Sequence, residues 1–190
     1  MACLSTFERE GLLVDTAGTE SHRTLRKEAQ KAIEHHSKAT TPYGPPVQTI
    51  DLGTPQLRAW EYAHPFALLY YLSSISSAFA ALMSETVSRV SSPLKMVIYS
   101  DEIKPDNPLR PDNGRGTQSI YWCFTDWPQW ALQRAAVWLL LGVIRTTLVD
   151  EMPGGESGLM RFVLNVCFRV TSPSFTLGIL MPVGVTALLV

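Results

Sequence analysis

The sequence predicts an α/β fold in which strand, strand, strand, helix and strand follow one another after an N-terminal helical part. Three observations carry the prediction. Residues 94–100, Leu-Lys-Met-Val-Ile-Tyr-Ser, and 118–125, Gln-Ser-Ile-Tyr-Trp-Cys-Phe-Thr, are β-branched and aromatic runs on either side of a Pro-, Asp-, Asn- and Gly-rich stretch, the pattern of an antiparallel pair joined by a loop. β-Branched residues dominate again from Gly142 to Val149. A helical period at Leu159–Phe168 then precedes a last apolar run, Phe175–Val190, so a three-stranded meander is followed by a crossover that brings a fourth strand alongside.

The elements follow in chain order. From Glu20 to His36, Leu25, Ala29, Ala32 and Ile33 recur at helical spacing among charges, a polar helix with one narrow apolar stripe. Thr40-Thr-Pro-Tyr-Gly-Pro-Pro ends it, because proline fixes φ and removes a donor, and this places a boundary between an N-terminal helical segment, 1–40, and an α/β domain, 41–190. A second helix starts at His64-Pro65, where proline suits the first turn, and runs to about Arg89 with Leu68, Leu72, Ile75, Phe79 and Leu82 as its core-facing stripe. Between the two strand runs, Asn113-Gly114 is a turn signal. A short amphipathic helix is predicted over Gln129–Ala136 after Pro128, and Pro153-Gly-Gly-Glu-Ser-Gly reads as the turn that starts the helix at Leu159.

Composition limits the function. Sixteen Lys and Arg against seventeen Asp and Glu give a net charge of −1, so the chain has no excess of cations to draw it to polyanions. The 17% of charged residues lies below the roughly 25% usual for soluble domains, as it would if part of the surface normally met something else. Cys3, Cys123 and Cys167 are odd in number and widely spaced, which fits neither a disulfide framework nor a zinc module. The N-terminus reaches acids before any apolar run, unlike a secretory signal. The expected location is the nucleus or cytoplasm.

The candidate chemistry lies at Tyr99-Ser-Asp-Glu-Ile-Lys-Pro, where an apolar strand runs out into a loop. A carboxylate fixed at a strand end combines rigidity with open coordination positions for a divalent cation. Alternation sends Asp101 and Glu102 to opposite faces, so one of the two serves a given site, and the simplest alternative is that both solubilise the loop. His35 and His36 are neighbours on a helix and diverge by about 100°, which favours a solvated helix end over a metal pair. The glycines at 154, 155 and 158 lack the Gly-Lys-Ser/Thr of a phosphate loop. Trp122, Trp127, Trp130 and Trp138 have few interleaved cations, and core packing is expected of them rather than base stacking.

Taken together, Tyr-Ser-Asp-Glu-x-x-Pro-x-Asn-Pro-Leu at 99–109 and Ile-Tyr-Trp-Cys-Phe at 120–124 resemble the opening hairpin of transposase-derived proteins of CACTA-type DNA transposons. The similarity is closer to a group of uncharacterised, highly repeated protist proteins of that kind. It extends to Thr41-Pro-Tyr-Gly, His64-Pro-Phe-Ala, Pro153-Gly-Gly-Glu-Ser-Gly-Leu-Met-Arg and Ser174-Phe-x-x-Gly, about residues 40–180. The resemblance implies a partial RNase H-like mixed sheet and an ancestral role in Mg²⁺-dependent DNA phosphodiester cleavage and strand transfer by two metal ions. It makes Asp101 the catalytic first-strand acid and metal ligand, with Glu102 as its substitute. No acid follows Phe175, where the second ligand belongs, so the chain is expected to be a truncated product, inactive alone, whose Mg²⁺ binding at Asp101 is weak.

Two readings of other classes compete. In one, apolar helices at 62–83 and 170–190, long enough to span a bilayer, make a small membrane-associated protein. In the other, the chain is a non-enzymatic interaction module that self-associates through an exposed sheet edge.

Overall fold

The computed structural model describes residues 31, 34–53, 59–91, 93–103, 116–168 and 181–182. After Pro45-Pro46 the chain enters strand β1, Val47–Ile50, which pairs antiparallel with β2, Trp60–Ala63, from Val47 opposite Ala63 to Ile50 opposite Trp60. Neither strand is anticipated by the sequence reading. Each has four residues, and both alternate in burial, so they make one covered and one open face.

The predicted helix from His64 to Arg89 is two helices. Helix α1, Pro65–Ile75, and α2, Ser77–Arg89, meet at 117°. Ser76 causes the break: its backbone is extended (φ −124°, ψ 109°), its N–H donates to the Leu72 carbonyl at 3.0 Å, and its Oγ accepts from the Phe79 N–H at 3.1 Å. One residue thus closes α1 and caps α2, and such a cap contributes about 1 kcal/mol. The bend moves part of the buried surface off the predicted stripe, on which Leu82 stays buried. Phe66, Ala67, Leu69 and Ser73 are buried on α1 and Leu82, Met83 and Thr86 on α2, whereas Leu68, Leu72 and Phe79 are half-buried against the core. In place of one apolar helix at 62–83 the chain has the end of β2, at residues 62 and 63, and the two helices bent at Ser76, which together keep the length and apolar composition of a broken span. Among the described residues no single helix is long and apolar enough to cross a membrane; the companion run at 170–190 lies outside them apart from Met181 and Pro182, and Met181 is buried in the core.

The anticipated hairpin is present. Strand β3, Met96–Ile103, pairs with β4, Thr117–Phe124, over eight residues from Met96 opposite Phe124 to Ile103 opposite Thr117. Its N-terminal end is clasped by Asp126, whose Oδ2 accepts from the Lys95 N–H at 2.5 Å and whose carbonyl accepts from Arg89 at 2.9 Å. The helix expected at 129–136 shortens to α3, Gln129–Leu132, and a 3-10 turn at Ala135–Val137.

Strand β5 spans Leu139–Arg145 rather than Gly142–Val149. It begins earlier because Leu139 and Leu140 already pair with Trp122 and Tyr121. It stops at Arg145 because Thr146 donates its N–H to the Gly116 carbonyl and turns into helix α4, Thr146–Asp150. Between the Ile120–Gly142 and Tyr121–Leu140 pairs the register slips, so Leu141 is an extra, bulged residue. Helix α5, Gly155–Phe168, follows a turn in which Gly154 and Gly155 take φ of +85° and +54°, a conformation that favours glycine.

The sheet order is β1-β2-β5-β4-β3, antiparallel throughout the described residues. The α/β class predicted from sequence holds. The three-strand meander β3-β4-β5 and the helix after it stand in the expected order, and two strands are added beside β5. The predicted fourth strand at 175–190 and the helix from Glu20 lie outside the described residues, apart from Met181, Pro182 and helical residues at 31 and 34–37.

The core forms on one face of this sheet. Trp60, Tyr62, Ile120, Trp122, Phe124, Leu139 and Ile144 are buried there, and the register sets them in line. Over the β2–β5 seam the Trp60 ring stacks on Tyr62 at 5.8 Å, and Phe162 of α5 meets both rings edge-on. The Trp60 Nε1–H donates to the Val143 carbonyl at 3.0 Å. Gly142 makes this possible, because a Cβ there would land inside the Trp60 ring.

Candidate functional site

The hairpin positions the two candidate acids. Both lie within the last three residues of β3, since the strand runs to Ile103 instead of ending at Ser100. Asp101 stands opposite Ser119 and is exposed, on the same face as Tyr99 and Ile103. Glu102 stands opposite Gln118 on the covered face and is half-buried. The divergence expected from alternation is what the structure has. The two carboxylates do not converge on one site.

Glu102 has a structural partner. Its Oε1 accepts from the Thr146 hydroxyl at 2.9 Å, tying the end of β3 to the start of α4 across β4. Gly116 lies beneath this contact, and a Cβ there would meet Glu102 Oε1 at 2.5 Å and Thr146 Oγ1 at 2.9 Å. The absence of a side chain at 116 therefore allows the clasp. Sequence inspection misses it, because Thr146 is far from Glu102 in the chain and reads as a β-strand residue.

Among the described residues no group of three His, Cys, Asp or Glu side chains is arranged to hold a metal ion. Glu151, which caps α4, and Glu156, in the first turn of α5, are exposed. An acid in a first helical turn is favourable with the helix dipole without any ligand. A Mg²⁺ centre of the two-metal kind uses several carboxylates on one side of a sheet, and on the face of Asp101 the described strands carry one further acid, Glu61 on β2. The described donor set does not fit such a centre.

No protein-family model, curated protein or solved structure matches this chain.

His35 is exposed and its ring meets that of His36 edge-on at 5.3 Å. His36 turns inward, its Nδ1 sharing a 2.5 Å hydrogen bond with the Tyr71 hydroxyl of α1. Burial, and then the neighbouring His35, hold the His36 imidazole below its usual range, while burial pushes the Tyr71 phenol up. This contact docks the N-terminal helical turn on α1. An open hollow of about 510 Å³ nearby is lined by Lys31, Glu34, His35 and Lys38. No residue of the hairpin lines it.

Of the four tryptophans considered for base stacking, Trp122 and Trp127 are buried and Trp138 is half-buried, as core packing requires. Trp130 is the exception: it is 53% exposed, with the Arg134 guanidinium 5.7 Å above its ring. Burial pushes the Cys123 thiol up to about 11 and the Cys167 thiol up to about 12, so neither is a thiolate nucleophile at neutral pH.

His64 is the most perturbed of the described histidines. It caps α1, its Nδ1 accepting from the Ala67 N–H at 3.5 Å, and its ring lies 6.1 Å from Tyr62 and 5.1 Å from Phe66. Burial alone pushes it down to about 4. It is a neutral cap inside an aromatic row, which is a structural role.

Proposed function

We propose that the chain is a transposase-derived α/β protein, its sheet related to an RNase H-like core, and that it does not cleave DNA by itself. The observation that carries this reading is the β3-β4-β5 meander followed by α5, with Asp101 near the end of the meander's first strand. This is the order that the resemblance implies for the part of such a core that bears the first acid. β3 also stands last in the order of described strands, where a strand returning from a crossover would join.

Phosphodiester transfer on such a core needs metal ions clamped between several carboxylates. Asp101 on the open face and Glu102 engaged on the covered one cannot supply that clamp together. DNA is the partner of the ancestral activity, which places the protein in the nucleus or cytoplasm.

Two measurements test the reading. Supercoiled plasmid incubated with the purified chain and Mg²⁺ or Mn²⁺ is expected to remain intact; nicking that disappears in Asp101→Asn would overturn the statement of inactivity. Any Mg²⁺ affinity rests on Asp101, and calorimetric titration of native chain and Asp101→Asn tests it, with identical isotherms removing Asp101 as a ligand. The origin is tested separately on the genomic DNA downstream of the Val190 codon: a further acidic motif followed by helices supports it, and no such motif in any frame counts against it.

A further inference from the structure

Trp130 is the tryptophan that core packing does not explain. At 53% it is the most exposed large apolar residue among those described. Its neighbours are not. Trp127 is buried against Phe79 and Phe124, and α3 buries Ala131 while it turns Trp130 outward. The Ala131 and Leu132 N–H groups both donate to the Pro128 carbonyl, at 2.8 and 3.1 Å, so the indole stands on a hydrogen-bonded turn over the core.

A single exposed aromatic is ordinary; the cations around this one set it apart. The Arg134 guanidinium lies 5.7 Å from the ring centroid, within the range of a cation–π contact. Two more cations reach the same segment from elsewhere in the chain. Arg89, at the end of α2, donates to the Asp126 carbonyl at 2.9 Å, and Lys95, just before β3, donates its backbone N–H to the Asp126 carboxylate at 2.5 Å. Folding thus supplies the basic residues that are sparse in the sequence around the tryptophans. Glu85 lies 3.8 Å from Arg89 and offsets it, whereas the Arg134 guanidinium and the Lys95 ammonium enter no ion pair among the described residues. From Trp127 to Val149 the chain carries two arginines and no acid. An aromatic face beside cations without acidic partners suits an unpaired base with its flanking phosphates. A duplex hides the faces of its bases, and an acidic peptide leaves the indole without a planar partner.

We propose that Trp130 and Arg134, with Lys95 and Arg89 beside them, bind single-stranded nucleic acid, the indole stacking on one unpaired base and the cations meeting the adjacent phosphates. Lys95 precedes Asp101 by six residues along β3, about 20 Å of extended chain, so this site is separate from the candidate acids. It does not rest on the transposase reading, and neither its success nor its failure decides that reading.

Fluorescence anisotropy of a labelled oligothymidylate of about twelve nucleotides, titrated with the full chain at several salt concentrations, tests the proposal. Binding is expected at low salt and weakens as salt rises. Trp130→Ala is expected to raise the dissociation constant about tenfold, and Trp130→Phe, which keeps a smaller ring, by less. Arg134→Gln and Lys95→Gln should each lower the slope of log affinity against log salt by about 0.7. All three side chains are exposed, so the variants should keep the native far-ultraviolet circular dichroism spectrum. Arg145→Gln removes a cation at the opposite end of the β3–β4 hairpin, beside Thr117, and should leave the affinity unchanged. An oligouridylate of equal length forms the second arm, and the tighter of the two strands identifies the sugar. No binding at low salt overturns the proposal. So does binding that Trp130→Ala leaves intact or that Arg145→Gln weakens as much, and so does equal affinity for a polyglutamate of the same charge.

Discussion

Acid should destabilise this protein through His64 in a way that one substitution removes. The imidazole caps α1 with its Nδ1 lone pair and lies between the rings of Tyr62 and Phe66. Protonation converts that acceptor into a donor facing the Ala67 N–H and places a cation at the positive end of the helix dipole. Burial lowers the folded-state value from 6.5 to about 4, so the folded protein prefers the neutral ring. The contribution is fully present above the unfolded value of 6.5, declines as pH falls through the window from 6.5 to 4, and is lost below it. At about 1.4 kcal/mol per unit the ceiling is about 3 kcal/mol, and partial solvent contact of the ring brings the expected effect to about 2 kcal/mol.

Urea unfolding at intervals between pH 7.5 and 4 measures it, with His64→Asn as the control. Asparagine is a good neutral cap, so the variant keeps the hydrogen bond and loses the titration. Carboxylates titrate in both proteins and cancel in the comparison. Native protein should lose about 2 kcal/mol more than the variant across this range. Parallel loss of stability in the two proteins would refute the assignment.

Other positions give sharper single readouts. Gly142→Ala forces a methyl into the Trp60 ring and should cost about 1–3 kcal/mol, with a change in tryptophan fluorescence. Ser76→Ala removes the cap of α2 and should cost about 1 kcal/mol in thermal or urea unfolding; no loss would show that the helix break does not depend on that hydroxyl. In a Cys3→Ser background the buried thiols Cys123 and Cys167 should stay unmodified by a thiol reagent until the protein unfolds, and rapid labelling under native conditions would contradict their burial.

The hairpin was legible because both of its strands are long enough to show alternation and the stretch between them carries turn residues. The opposed orientation of Asp101 and Glu102 followed from the same alternation. β1 and β2 were not legible: four residues beside Pro45-Pro46 or before His64-Pro65 are too few to separate from a loop. The break at Ser76 was hidden because the spacing from Leu68 to Leu82 continues through it; a serine that caps the next helix leaves hydrophobic periodicity intact. The leucine bulge concealed the true start of β5, since an extra residue erases period-two alternation at the point where it would be read. The open face emerges only from the pairing of five strands, which no single segment encodes.

The meeting of β2 with β5 has a consequence for biosynthesis. Tyr62 is paired with Gly142, so the aromatic seam of Trp60 and Tyr62 cannot close until the ribosome has finished β5. From Tyr62 to Ser84 the nascent polypeptide has no acidic residue, lysine or arginine, and during that interval it travels as an unshielded greasy stretch. Long-range closure of this sort is slow and exposes intermediates to aggregation. Chaperone demand should therefore peak midway through translation, and fall once the leucine run reaches its place in the sheet.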